Sequence, residues 1–149
     1  VTLEKAEFSK PPYKFEAGIQ HYAGAIGLGA AVEYLEKIGL DNIHKHEQRL
    51  IKMMLELCNE KGLTYYGPKT DEKVGVFAFN IRGIDFHDAG SLYNQKRIYV
   101  RTGMHCALPL MNHFGVSGSV RASLYLYNTE SEVEKFISAT KNIIKIFGR

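Results

Sequence analysis

Apolar residues recur at helical spacing in three stretches of the chain. The first stretch runs from Gly18 to Gly39, the second from Asp41 to Gly62, and the third begins at Thr129. Asp and Thr are good helix N-caps, and glycine is the residue that most often follows the end of a helix. The pattern therefore predicts three amphipathic helices, two before and one after a region of different character.

Between the second and third helices, the apolar residues fall in the short runs that are typical of strands. The predicted elements of this region are strands at 63–67, 74–81, 97–101 and 120–127 and a short helix at 86–95 that Asp85 caps. Neither face of the strand at 74–81 is clearly polar, so we expect it to be central in its sheet. The alternation predicts an α/β fold, with helices covering one face of a small sheet.

Three segments with different patterns divide the chain. Residues 1–18 are expected to be extended, because the Pro11-Pro12 pair excludes a helix there. Residues 19–39 are predicted to form a linking helix, and residues 40–149 a small domain. Val1 opens the chain without a methionine, in what we interpret as the remnant of a larger domain.

The first half of the linking helix contains Gly24, Gly27 and Gly29. Each glycine costs a helix about 1 kcal/mol relative to alanine. Helices carry that cost where another backbone comes close. The approaching backbone belongs either to this chain or to a large domain or partner subunit that this chain lacks.

Composition narrows the class of protein. The chain is 45% hydrophobic and 23% charged, with a formal charge of +3 that is too small to indicate a nucleic-acid partner. Its apolar runs are far shorter than the roughly 20 residues of a membrane span, so we expect no membrane insertion. Two cysteines make no disulfide framework and predict a reducing, cytoplasmic location.

The two cysteines differ in context. Cys58 lies on the apolar stripe of the second helix, and we predict a structural role for it. Cys106 instead lies in RTGMHCALP, a polar segment in which Arg101 and His105 are close in sequence. Cationic neighbours lower the pKa of a thiol and make it nucleophilic. No four ligands at paired spacing surround Cys106, so a metal site is not predicted.

Arg121 lies in VRASLYLY, a run in which β-branched and aromatic residues are otherwise preferred. Such an arginine either extends its charge to solvent or pairs with an acid, or else it presents its planar fork to a carboxylate. A thiol loop combined with a carboxylate-binding fork favours an amino-acid or carboxylic-acid substrate.

Three stretches of this chain together resemble one family. RTGMHCALPL followed by SVRASLYLYNTESEVEKFI is similar to the active-site end of the cysteine desulfurases and selenocysteine lyases, within the class V aminotransferase superfamily. PPYKFEAGIQHYAGAIGLGAAVEYLEKIG resembles the segment that links the large and small domains of that family, and FNIRGIDFHDAGSLYNQKRIYVR the strand–helix–strand before the cysteine loop. The resemblance implies the small C-terminal domain of a fold-type I enzyme that depends on pyridoxal 5'-phosphate (PLP).

The resemblance also implies roles for four residues. Cys106 would be the nucleophile that takes sulfur from L-cysteine or selenium from selenocysteine, and a persulfide would form on it as alanine is released. Arg121 would bind the substrate carboxylate, Arg101 would line the site, and His105 would move a proton or tune the thiol. The family's members are homodimers that pass sulfur to an acceptor protein, usually for iron–sulfur cluster assembly.

The chain departs from the family pattern at three places. Met104 stands where a second histidine is common, and Ile19 where a threonine usually reaches the PLP phosphate. The Ser-x-His-Lys motif that carries the Schiff-base lysine does not occur, so we expect the chain to be the C-terminal portion of a longer enzyme, inactive alone and without an assigned PLP-binding residue. The alternatives are a cofactor-free sulfur-carrier domain and another class V enzyme, such as a kynureninase-like or epimerase-like one.

Overall fold

The computed structural model describes residues 1–148, so the last residue of the domain predicted at 40–149 lies outside the described part. The chain divides into two compact units, Val1–Gly39 and the remainder from Leu40 onward. Among the described residues, no helix combines the length and the apolar character that crossing a membrane requires.

The first unit is built around one long helix, α1 (Tyr22–Ile38), within the segment predicted to be helical; its role as a link between domains stays a prediction. Gly39 ends it with a φ of 89°, a region that glycine adopts without strain. The prediction of an extended segment at 1–18 is only partly right, because a 3-10 turn forms at Tyr13–Phe15 and no strand forms in that segment.

Two of the three glycines of α1 have open surroundings. A β-carbon added at Gly27 or Gly29 would meet nothing within 4 Å, whereas one at Gly24 would meet the ring of His21. Helix α1 buries none of its residues, and Ile26 remains 73% exposed. The described residues therefore account for Gly24 and leave Gly27 and Gly29 without a close neighbour.

The second unit is an α/β arrangement of four strands and four helices. In chain order these are α2 (Leu40–Leu55), β1 (Leu63–Tyr66), β2 (Val76–Ile81), α3 (Phe86–Gln95), β3 (Arg101–Gly103), α4 (Leu108–Phe114), β4 (Ser119–Ser123) and α5 (Glu130–Phe147). The strands form one antiparallel sheet in the order β1-β2-β4-β3, so β2 is central as predicted.

The helix starts follow from their caps. Asp85 accepts a hydrogen bond from the His87 amide at 2.7 Å, and α3 spans the predicted residues. Thr129 and Glu132 form a capping box that starts α5, also as predicted. The prediction of Asp41 as an N-cap is wrong, because α2 begins at Leu40 and Asp41 is the second residue of the helix.

One face of the sheet holds the core. Residues that alternate along β2 and β4, among them Phe77, Phe79 and Val120, are fully buried and pack against α2, α3 and α5. Burial of each large apolar side chain contributes roughly 1.5–3 kcal/mol. The prediction that helices cover one face of the sheet is thus confirmed, and the opposite face carries the polar residues of the sheet.

Two predicted strands are displaced. The strand predicted at 97–101 forms instead at Arg101–Gly103, because the end of α3 uses the earlier backbone: the amides of Arg97 and Ile98 donate to Asn94 and Tyr93. The strand predicted at 120–127 stops at Ser123, where the chain enters a turn.

Hydrogen bonds within the turn that follows β4 explain why this strand ends early. The Asn128 amide donates to the Tyr125 carbonyl at 3.0 Å, and the Asn128 side chain accepts from the Tyr125 amide at 2.9 Å. His46 is half-buried against this turn, and its Nε2 donates to the Asn128 carbonyl at 2.8 Å. Helix α4 was not predicted, since it is only seven residues long and has a proline in its first turn.

Candidate active site

A row of four residues crosses the sheet on the face away from the core. The register pairs Tyr66 with Ala78, Ala78 with Arg121, and Arg121 with Arg101. Directly opposed residues of antiparallel strands lie on the same face, with β-carbons about 5 Å apart. Arg101 and Arg121 are therefore brought together, although twenty positions separate them in sequence.

Two like charges directly opposite one another destabilise a sheet unless an anion lies near them. The Arg121 Nε is buried and has no hydrogen-bond partner among residues 1–148. Leaving a buried donor unpaired costs about 1–3 kcal/mol. A bound carboxylate would remove both costs, because it is negatively charged and accepts two hydrogen bonds from a guanidinium fork.

Asn80 lies near this row and was not singled out from the sequence. Its side-chain amide donates to the Gly118 carbonyl at 2.9 Å and to the Tyr66 hydroxyl at 3.2 Å. Its Oδ1 is buried without a partner among the described residues. The signal that could have identified this residue is a polar amide inside the apolar run VFAFNI.

Cys106 lies on a tight turn directly after β3. The Ala107 amide donates to the Met104 carbonyl at 3.0 Å, and the two residues between them, His105 and Cys106, have φ values of 55° and 54°. Two consecutive positive φ values are the arrangement of a type I′ turn, which normally takes Asn or Gly. Residues with a β-carbon pay about 1–2 kcal/mol at each such position.

The His105 ring connects this turn to β4. Its Nε2 lies 3.0 Å from both the carbonyl oxygen and the hydroxyl oxygen of Ser119, which is fully buried. Ser119 is two residues before Arg121, and residues two apart on a strand lie on one face about 7 Å apart. Ser119, like Asn80, was missed from the sequence, where a serine near a glycine gave no specific signal.

Burial lowers the pKa of His105 below its ordinary value, and the charges of Arg121 and Arg101 lower it further against the raising effect of the Ser119 carbonyl. The imidazole is consequently neutral at pH 7. The lowered pKa disfavours the charged imidazole, so the positive charges on this face belong to the two arginines.

The two thiols differ in their exposure. Cys106 is exposed, whereas Cys58 is half-buried against the core. Burial raises the pKa of Cys58, although Lys69 and Lys73 act against this effect. A raised pKa keeps Cys58 in the unreactive thiol form at pH 7. Cys106 thus has the access that a nucleophile needs, and Cys58 does not.

The chain is similar in sequence to known proteins of one family. The chain matches the class-V aminotransferases over residues 1–136. It is 41% identical to a probable cysteine desulfurase of Pyrococcus abyssi over 97% of this chain and 37% of that protein.

Two solved structures are similar throughout. A cysteine desulfurase from Thermococcus onnurineus superposes with a TM-score of 0.87 at 40% identity, covering 97% of this chain and 36% of that one. The cysteine desulfurase CsdA from Escherichia coli does so with a TM-score of 0.84 at 29% identity, covering 99% and 36%. The chain spans little more than a third of the length of these relatives. Because the family match extends over most of its residues, the chain belongs to the class-V aminotransferase family.

Proposed function

We propose that the full-length protein containing this chain is a cysteine desulfurase, which takes sulfur from L-cysteine as a persulfide on Cys106 and releases alanine. The observation that carries the proposal is an exposed thiol on a tight turn that directly follows the strand of Arg101, whose cross-strand partner Arg121 has a buried Nε without a partner among the described residues. The similarity to cysteine desulfurases over nearly the whole chain supports the same activity.

Class V aminotransferases depend on PLP, and the groups on this chain suit the substrate rather than the cofactor. A thiol and two guanidinium groups match the sulfur and the carboxylate of cysteine. We assign no residue of 1–148 to holding PLP, whose lysine we expect elsewhere in the full-length protein. When bound, PLP withdraws electrons and stabilises negative charge that develops on the substrate carbons.

Cys106 acts on the sulfur of the bound substrate. Its thiolate attacks that sulfur, and a new S–S bond forms as the C–S bond breaks. The electron pair of the broken bond stays on the substrate carbon, which takes up a proton and becomes the methyl group of alanine. The sulfur remains on Cys106 as a persulfide, so no external oxidant or reductant is consumed.

Arg121 binds the substrate carboxylate in this proposal. Its Nε points to the role, because a bidentate carboxylate supplies the acceptor that this buried donor lacks. Arg101, directly across the sheet, adds a second positive charge near the same carboxylate. Holding the carboxylate at one end of the substrate orients its sulfur toward the thiol of Cys106.

The proposal extends to a sulfur-acceptor protein, a homodimer and a cellular location. An exposed Cys106 is accessible to an acceptor protein that removes the sulfur, for iron–sulfur cluster assembly or other transfer. The exposed apolar face of α1, with Ile26 and Leu28, supports a homodimer when the protein is full length. Two free cysteines favour a reducing, cytoplasmic location. Selenocysteine is an alternative substrate with the same carboxylate.

The test uses the full-length protein, loaded with PLP and mixed with L-cysteine without reductant. Mass spectrometry of the peptide that contains Cys106 is expected to detect one added sulfur, with release of alanine. The Cys106→Ala variant should lose both products, and Cys58→Ala should keep both. If the wild-type protein binds PLP but yields neither the added sulfur nor alanine, Cys106 is not the nucleophile of a desulfurase.

A further inference from the structure

The contact between His105 and Ser119 fixes where the proton of the imidazole lies. The Nε2 of His105 is 3.0 Å from the Ser119 carbonyl oxygen, which is able only to accept. The Nε2 must therefore carry the hydrogen and donate it. In the neutral ring, Nδ1 then has a lone pair and no proton, so the single N–H of the imidazole is already used in holding the turn to β4.

The turn needs such a restraint. His105 and Cys106 both have β-carbons and both adopt a left-handed backbone, which is unfavourable at each position. Strained conformations of this kind persist only where the surroundings determine them. The start of the turn is restrained by close packing, since a β-carbon on Gly118 would lie 2.9 Å from the backbone carbon of Gly103.

A second restraint comes from a side chain. Among the described residues, His105 is the one residue of the turn whose side chain hydrogen-bonds to the sheet. The bond ends on Ser119, on the same strand as Arg121. It therefore links the backbone that carries the thiol to the strand that carries the proposed carboxylate-binding fork.

We propose that His105 is a positioning residue for Cys106, which holds the left-handed turn against Ser119 and does not transfer a proton in the reaction. The expected change in kcat rests on the proposed desulfurase function. The restraint of the turn by His105 does not depend on that function. It replaces the expectation that His105 moves a proton.

A matched pair of variants separates the two roles. In His105→Gln, the side-chain amide nitrogen stands at the same number of bonds from the backbone as Nε2 and donates, but it does not titrate. In His105→Met, a side chain of similar length has no donor. His113→Gln is the control, because His113 is an exposed histidine on α4 without a bond to the sheet among the described residues.

Alanine release is measured with the full-length, PLP-loaded proteins over a range of L-cysteine concentrations. We expect His105→Gln to keep kcat within about threefold of the wild type, and His105→Met to lower kcat by about tenfold to a hundredfold, as expected for a displaced reacting group. KM should change little in either variant, because Arg121 is untouched. An equal loss of kcat in the Gln and Met variants, or no loss in either, overturns the proposal.

A second readout does not depend on turnover. The rate at which iodoacetamide alkylates Cys106 should change severalfold in His105→Met and stay unchanged in His105→Gln, because only the Met variant loses the hydrogen bond to Ser119 that holds the backbone of the turn. Equal rates in all three proteins also overturn the proposal. A wild type that releases no alanine refutes the proposed function, and the alkylation rates then still decide the role of His105. If His105→Met does not fold, His105→Asn replaces it, since Asn tolerates the left-handed turn and is too short to reach Ser119.

Discussion

Replacing Arg121 by lysine should weaken the use of L-cysteine without weakening the fold. Lysine keeps the positive charge but removes the planar fork and the buried Nε, which has no partner among the described residues. Because that Nε makes no hydrogen bond within residues 1–148, its removal breaks no bond that we observe in this part of the chain. The loss should appear only when a carboxylate is bound.

The size of the effect follows from the number of bonds lost. A fork makes two charge-assisted hydrogen bonds to a carboxylate, and an ammonium group keeps one of them. A hydrogen bond to a charged group is worth about 1.5–3 kcal/mol, and about 1.4 kcal/mol corresponds to a factor of ten. We therefore expect kcat/KM to fall by about tenfold to a hundredfold.

Initial rates of alanine release across L-cysteine concentrations measure this effect in the full-length protein. The control is Arg82→Lys, an exposed arginine directly after β2. Thermal denaturation of both variants should match that of the wild type. A value of kcat/KM for Arg121→Lys within about twofold of the wild type would refute the assignment of Arg121 to the carboxylate.

Three further changes test how the structure supports this site. Thr129→Ala removes a capping hydroxyl worth about 1 kcal/mol, so amide hydrogen exchange in the first turn of α5 should speed up about fivefold. The hydrogen bond from the Thr129 amide lowers the pKa of Glu132 from 4.5. The contribution of this cap is therefore fully present above that pH and is lost as the pH falls through the lowered pKa. Glu132→Gln should make the protection factors of the same amides, which are corrected for intrinsic exchange, independent of pH in this range. Gly118→Ala places a β-carbon 2.9 Å from Gly103 and 2.7 Å from Phe86, so it should slow alanine release, whereas an unchanged rate would contradict the tight packing at the start of the turn.

Elements that depend on local rules were predictable. The capping residues Asp85 and Thr129 and the apolar periodicity located α3 and α5, because a cap and a stripe are determined by residues a few positions apart. The central position of β2 followed from its apolar composition on both faces. The strand predicted at 97–101 failed because the backbone donors after α3 return to that helix, which composition does not reveal.

The sequence pointed to four candidate site residues but not to their arrangement. The resemblance pointed to Cys106, Arg101, Arg121 and His105, and their residue types suited a thiol nucleophile and a carboxylate. Nothing in the sequence indicated that the pKa of His105 would be lowered, since the shift depends on burial and on charges brought close by folding. Ser119 and Asn80 were identified only from their hydrogen bonds in the folded chain.

The sequence by itself determined the helices other than α4, the central strand, the family resemblance and the choice of Cys106 over Cys58, because these depend on residue type and on short-range spacing. Only the tertiary structure decided that Arg101 and Arg121 face each other, that the Arg121 Nε is buried and unpaired, and that the His105 ring donates to Ser119. Strand register sets these contacts, and register is fixed by packing across the whole sheet. A pairing shifted by one residue would place the arginines on the core face, where an unpaired charge is not stable.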